Sequence, residues 1–310
     1  MIRSTLASLA LVCLAAPALA QGAPGGPPVG PDFSKVEVKT TDLGNRTWML
    51  SNGISGNVTV AAGDDGIIMV DGQHAPMHDK LKAAIAALSP QPIKYLVNTH
   101  HHGDHTGGNA AFSADGATVV AHENVKTMLA AGTASNLTGQ KFPPVPPEGL
   151  PKETYNSDSG PVLHVKGREA VLKHPANAHT GGDTYVYFAD ANVLSTGDTF
   201  TYNRYPNIDW VNGGSLKGVL AACEAYLKVA NDQTKIVPGH GPLATKAQLA
   251  EYRAMLVTAS ERMAKLIKDG KSEDEIYAAK PYADLDGKWA PNEQVGKAFM
   301  RVMYVNVKGG

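Results

Sequence analysis

The sequence predicts an α/β fold, whose two βα halves, if they face one another, would make an αβ/βα sandwich. Three observations predict it. Short strand patterns alternate with amphipathic helix patterns along most of the 310 residues. Several of the strands end in loops that carry His or Asp, which gathers chemistry along one edge of the sheets. A hydrophobic content of 43% over this length can fill the core of one sizeable domain.

The first residues are a different kind of text. Met1-Ile2-Arg3 gives a positive start, Leu6 to Ala16 an apolar stretch, and Ala18-Leu19-Ala20 a small-x-small cleavage site. Residues 1–20 therefore read as a signal peptide, too short to span a bilayer, and the expected location is periplasmic or secreted. Without that segment Cys223 is the only cysteine, so no intrachain disulfide can form, and a buried thiol on a helix is expected. Residues 21–35 form a Pro/Gly-rich leader expected to be disordered. Residues 36–310 form the single expected domain.

From Val36 the chain reads as four antiparallel strands, Val36 to Thr40, Thr47 to Ser51, Asn57 to Ala62 and Gly66 to Val70, with Asn52-Gly53 and Asp64-Asp65-Gly66 as turn signals. Pro76 opens a helix to Leu88, on which Leu81, Ala84, Ile85 and Leu88 share a face. A buried strand from Ile93 to Asn98, a short helix from Gly108, a strand from Ala117 to Ala121 and a helix from Asn124 to Ala131 complete the first half. The second half repeats the plan loosely. Strands at Val162 to Lys166, Glu169 to Lys173, Thr184 to Phe188 and Asn192 to Ser195 precede a helix from Leu216 to Ala230, a strand from Lys235 to Val237 and a long helix from Lys246 to Lys268. The stretch from Ser272 to Gly310 reads as short helices and loops without chemistry of its own.

Between the first two elements of this plan that matter for function lies His100-His101-His102-Gly103-Asp104-His105, four imidazoles and a carboxylate in six residues. Histidine is the commonest zinc ligand, and a carboxylate beside it favours a hard or borderline divalent ion. In extended backbone His100 and His102 point the same way and His101 the other, so the first pair can grip one ion, while Asp104 and His105 lie further round the turn. The alternative is a solvated His-rich tract that binds metal loosely. Three loop motifs downstream count against it: Ala178-His179-Thr180-Gly181-Gly182-Asp183, Ser195-Thr196-Gly197-Asp198-Thr199, and Val237-Pro238-Gly239-His240-Gly241. Singly each is weak, since a lone loop His or Asp is more often a turn or capping residue.

Their order is specific. His-x-His-x-Asp-His, then His, then Asp, then His resembles the metallo-β-lactamase superfamily through all of its metal motifs, over roughly residues 36 to 250. The resemblance implies the four-layer αβ/βα sandwich of that family. It also implies one metal held by His100, His102 and His179, a second held by Asp104, His105 and His240, and Asp198 bridging both, as in the glyoxalase II-like branch. Two Zn2+ per chain are expected, and Mn2+ or Fe2+ suits the same ligands. The implied chemistry is that of a metal-bridging hydroxide attacking an ester, lactone, thioester or β-lactam carbonyl, with Asp104 also orienting water or passing on its proton. The best-known β-lactamase subclasses have a cysteine near position 198 or leave it non-ligating, so Asp198 leans towards other hydrolases and leaves weak β-lactam hydrolysis open. A branch that binds one iron and oxidises persulfides is the alternative. A non-catalytic binding module on the same fold would lack a ligand, and none of the seven is missing.

A net charge of −1 with no Lys/Arg cluster gives no reason to expect a nucleic-acid partner, so the expected partner is a small molecule. Its identity and the oligomeric state are not written in the sequence. Asp71 either ends a strand as a turn residue or holds a ligand imidazole from behind. His74, His78, His122, His164 and His174 lack motif context and read as surface, capping or hydrogen-bonded groups, with His122 at a helix start. Residues 132–151 show no regular period and form either a flap over the cleft or an inert loop. Tyr202, Arg204 and Tyr205 follow Asp198 closely and are expected near the metals, Arg204 as a clamp for a substrate carboxylate or sulfate or as half of a structural ion pair. Trp210 is expected to add an apolar wall.

Overall fold

A computed structural model describes residues 31–309. The expected signal peptide and most of the leader lie outside the described residues. The leader's last residues, Phe33–Lys35, make a 3-10 turn, and Phe33 packs on the core.

The chain then forms β1 (Lys39–Gly44), β2 (Thr47–Ser51), β3 (Val58–Ala62), β4 (Ile67–Val70), α1 (His78–Leu88), β5 (Ile93–Val97), α2 (Gly103–Thr106), α3 (Asn109–Ala114), β6 (Thr118–His122), α4 (Glu123–Ala131), β7 (Thr133–Ala134), β8 (Lys141–Phe142) and β9 (Glu153–Tyr155). Seven of these strands build one sheet in the order β1-β2-β3-β4-β5-β6-β9, antiparallel up to β4 and parallel beyond it. There follow β10 (Ser159–Val165), β11 (Arg168–Lys173), β12 (Tyr185–Phe188), β13 (Val193–Ser195), α5 (Leu216–Val229), β14 (Lys235–Val237), α6 (Lys246–Lys268), α7 (Glu273–Ala279), α8 (Ala283–Trp289) and α9 (Glu293–Gly309). The second sheet runs β10-β11-β12-β13-β14, antiparallel except for the β13–β14 pair that α5 connects.

The four layers follow from which side chains each strand sends to which face. β4 is apolar and buried throughout, because both of its faces are covered. Ile68 and Val70 meet Leu172, Val186, Phe188 and Val237 between the sheets. Ile67 and Met69 point the other way, onto Leu81 and Ile85 of α1 and Phe112 of α3. Outside the second sheet, Leu194 and Ile236 pack under Tyr226 of α5, Tyr252 of α6 and Phe299 of α9. Cys223 is buried in that layer, and burial pushes its thiol up to about 12. The helices start where their caps dictate: Ser215 accepts from Gly218 N at α5, and Thr245 and Gln248 close a capping box at α6.

Four sequence expectations need correction. The first strand lies at Lys39–Gly44 and not Val36 to Thr40, because Asn45 and Arg46 both adopt positive φ and make the tight turn into β2 at that point. Asn52-Gly53 is no hairpin turn between adjacent strand ends. Asn52 Oδ1 accepts from Ile54 N and Ser55 N and starts a loop, residues 52–57, that runs to the ligand cluster. Residues 132–151 contain the paired strands β7 and β8, too short to show a period. The C-terminal stretch includes the 17-residue α9, whose Phe299, Val302 and Met303 belong to the outer core.

Candidate metal centre

The carboxyl ends of β4, β5, β13 and β14 lie at one edge, and the seven predicted residues meet there. β5 stops at Val97, and the chain bends through residues 99–101 and is extended at His102 before α2 coils. The helix expected from Gly108 is α3, and the unexpected single-turn α2 ahead of it carries Asp104 and His105. His179 stands in the loop before β12, where Asp183 accepts from both Thr180 N and Thr180 Oγ1 and closes the turn. Asp198 occupies the 3-10 turn after β13, and His240 the loop after β14.

Two groups of ligand atoms result, each within 4.8 Å: His100, His102, His179 and Asp198 in one, Asp104, His105 and His240 in the other. Asp198 lies between them. Its Oδ2 is 3.8 Å from His179 Nε2 and 3.5 Å from His240 Nε2, while its Oδ1 is 3.3 Å from His105 Nε2. Asp104 Oδ2 lies 3.1 Å from His240 Nε2. Two loops are pressed so closely on these side chains that only glycine fits. A Cβ on Gly56 would stand 2.2 Å from His105 Cε1, and one on Gly239 2.0 Å from Asp198 Oδ1.

Hydrogen bonds behind the imidazoles fix their tautomers. Asp71 Oδ2 accepts from His105 Nδ1 at 2.7 Å and from Thr99 Oγ1 at 2.8 Å. Since the Thr99 hydroxyl donates to Asp71, it accepts from His100 Nδ1 at 3.0 Å. The His179 Nδ1 proton goes to the Asn207 carbonyl at 2.5 Å, and the His102 Nε2 proton to Asp209 Oδ2 at 2.9 Å. Each ring thus turns its other nitrogen inward, Nε2 in three cases and Nδ1 in His102. His100 Nε2, His105 Nε2 and Asp198 Oδ1 are buried there without a hydrogen-bond partner. Buried polar atoms of this kind are costly unless something satisfies them, and a divalent cation in each ligand group would do so.

Electrostatics agree with the donor set. Burial works against ionised Asp198, yet His240 and His105 outweigh it and hold its carboxyl well below the usual range. Burial also opposes charge on His240, but Asp198 and Asp104 push it up to about 9. Burial pulls His179 down to about 4 and, with the neighbouring imidazoles, holds His100 well below its ordinary value. Anionic carboxylates beside neutral rings suit a cation, and binding one would displace the protons of His105 and His240.

Sequence reasoning placed Asp71 correctly as an alternative and missed Asp209 and the Asn207 carbonyl. A lone Asp in an irregular loop has no pattern that joins it to His102. His101 stays out of both groups above, with Nε2 4.0 Å from Asp209 Oδ2; His101, His102 and Asp209 form a third close group, in which the His102 proton is already given to Asp209. His122 caps α4 as expected, accepting from Asn124 N.

Beside the cluster lies a cavity of about 730 Å³, bounded by Asp104 and His102 on one side and by the 132–149 segment on the other. The flap reading of 132–151 thus gains its position over the cleft. Tyr202, Arg204, Tyr205 and Trp210 do not line this cavity. Tyr202 and Tyr205 are buried instead, Tyr205 stacking on Phe299 and donating to Asp286, and Arg204 is exposed.

Residues 52–240 match the family model described as the metallo-beta-lactamase superfamily. The chain belongs to that superfamily. Among solved structures, a metallo-beta-lactamase from Pontibacter korlensis superposes with a TM-score of 0.58 at 20% identity, over 71% of this chain and 99% of that one, which establishes the metallo-β-lactamase fold. Of curated superfamily relatives, the 2,4-dinitroanisole O-demethylase subunit alpha of Nocardioides sp. is 28% identical over 56% of this chain and 51% of its own. The hydroxyacylglutathione hydrolase of Polaromonas sp. is 26% identical over 53% of this chain and 55% of its own. The chain thus spans about half the length of these curated relatives. Membership, and the His/Asp groups described above, make this a superfamily protein built to bind divalent metal. Among the described residues, no helix is long and apolar enough to cross a membrane.

Proposed function

We propose that the chain is an exported dinuclear zinc hydrolase that cleaves esters, lactones, thioesters or β-lactams. The observation that carries this reading is the place of Asp198, within 3.8 Å of imidazoles of both ligand groups. His100, His102 and His179 would hold one ion, Asp104, His105 and His240 the other, and Asp198 would bridge them. Zinc so held supplies Lewis acidity that polarises a carbonyl and brings the pKa of water towards neutrality. The chain's own residues do the rest. Asp71, Thr99, Asp209 and the Asn207 carbonyl hold the ring orientations from behind. Asp104 is the one carboxylate of the seven that also lines the cavity, and it can take a proton from attacking water and pass it to the leaving group.

A single-iron oxygenase would use one group of ligands, and the second complete group favours two ions. By their names, the curated relatives are a hydroxyacylglutathione hydrolase and the alpha subunit of a 2,4-dinitroanisole O-demethylase, and the first is itself a hydrolase. Export is supported by the signal-like residues 1–20. The test is metal analysis of the purified protein together with a lactone, thioester and cephalosporin panel, with and without chelator. Two metals per chain and chelator-sensitive hydrolysis are expected; a natively folded protein that takes up no metal overturns the reading.

A further inference from the structure

The cavity beside the ligand cluster is large enough for a medium-sized organic molecule. Its far wall is apolar, built from Met128 and Leu129 of α4 and from Phe142, Pro143, Pro144 and Val145 of the segment that follows. No Lys or Arg occurs among the described residues that line it. The carboxylates that do line it are Asp104, Glu148 and Asp209. Neutral amides near the wall are already engaged: Asn136 Nδ2 donates to Asn207 Oδ1 and the Ile208 carbonyl, and Asn212 Nδ2 to the Ala134 carbonyl and Asp209 Oδ2. His74 and His102 are bonded to Ser55 and Asp209. The neighbouring cation, Lys141, alternates with the cavity-facing Phe142 along β8 and so points away.

We infer that the part of the substrate seated in this cavity is an uncharged, largely apolar acyl or aryl group. Among the classes proposed above, neutral esters and lactones fit, and substrates that would place a carboxylate there do not. The inference rests on the hydrolase reading for the bond that is cut, but the character of the cavity stands apart from it. An anionic group entering this space loses water, meets Glu148 on the wall and finds no Lys or Arg there to compensate it. Such a wall selects by penalising the wrong partner as much as by attracting the right one.

The test pairs two esters of equal chain length on the metal-loaded protein, 4-nitrophenyl hexanoate and the 4-nitrophenyl monoester of adipic acid. kcat/KM should favour the neutral ester by at least about 30-fold. F142R, at a half-exposed position that tolerates a polar side chain, should narrow the ratio by about 10-fold or more, and E148K, also exposed, should do the same in a second background. Calorimetric binding of 1-phenylhexan-1-one and of 6-oxo-6-phenylhexanoate gives a readout independent of turnover. Neutral-ketone binding that F142R weakens, with no hydrolysis of either ester or of the lactone, thioester and cephalosporin panel, would sink the hydrolase reading and leave this inference standing. Hydrolysis without preference, or preference for the anionic ester, overturns the inference and leaves the hydrolase reading intact.

Discussion

Asp71 supports two ligand rings with one carboxylate, His105 directly and His100 through Thr99. It does so from a positive φ of 64°, a conformation that Asp and Asn tolerate far better than other residues with side chains. D71N therefore preserves the backbone while removing the charge, and should weaken metal affinity by about 10–100-fold with little change in unfolding midpoint; competition with a coloured chelator measures it, and unchanged affinity refutes the role. His122 makes a second prediction. Burial, and then His174 stacked on it at 3.9 Å, pull its pKa from 6.5 to about 4. The folded value lies below the unfolded one, so protons favour the unfolded chain: the contribution is complete above pH 6.5 and is lost as pH falls through 6.5 towards 4. H122N keeps an acceptor for Asn124 N and should narrow the gap between urea midpoints at about pH 7 and about pH 5 relative to the parent. At this scale the seven candidate ligands were legible because each sits in a short motif and the motifs follow one order. Asp209 and the Asn207 carbonyl were not, because their partners are made by distance in space, with no local pattern to announce them.

Elements were legible where period and length agreed. β14 and α6 lie where their patterns ended, since Lys235–Val237 is bounded by turn residues and α6 opens on a capping box. β7 and β8 were invisible, because two-residue strands carry no alternation. Their anchorage is nonetheless hydrophobic: Leu129 of α4 packs with Ala121 and Val125, and Val145 and Leu150 of the cavity segment close over them. L129A should cost about 2–4 kcal/mol in urea unfolding and raise KM for neutral esters more than it changes kcat, because the wall loses its seat. A stability loss with KM unaltered would show that the segment is held elsewhere.

Across the whole molecule, both sheets contribute to one centre. Four of the seven residues follow β5, and the other three hang on loops of the second sheet. The sheets are also pinned beside it, where Asn57 Nδ2 donates to the carbonyls of Pro238 and Gly241. An ion bound here binds the folded chain and not the unfolded one, so stripping it should remove about 3–4 kcal/mol at roughly 100 to 1,000 times Kd. That corresponds to a Tm lower by about 5–10 °C in calorimetry, restored by adding metal back. Equal Tm values with and without metal would contradict binding of metal to the folded chain. The sandwich itself was only half legible: buried strands such as β4 announce coverage on both faces, but the antiparallel hairpins of the second sheet follow from pairing across the chain, which periodicity does not encode.

The seven residues also have an order in time. His240 leaves the ribosome last of the seven, and it follows β14, whose pairing with β13 brings its loop to the others. A nascent chain has no finished site to load, whatever its first six-residue cluster can hold loosely. Under the proposed function, a site completed only by the β13–β14 pairing would load in the compartment where that pairing forms, and the choice between zinc, manganese and iron would follow the ions available there.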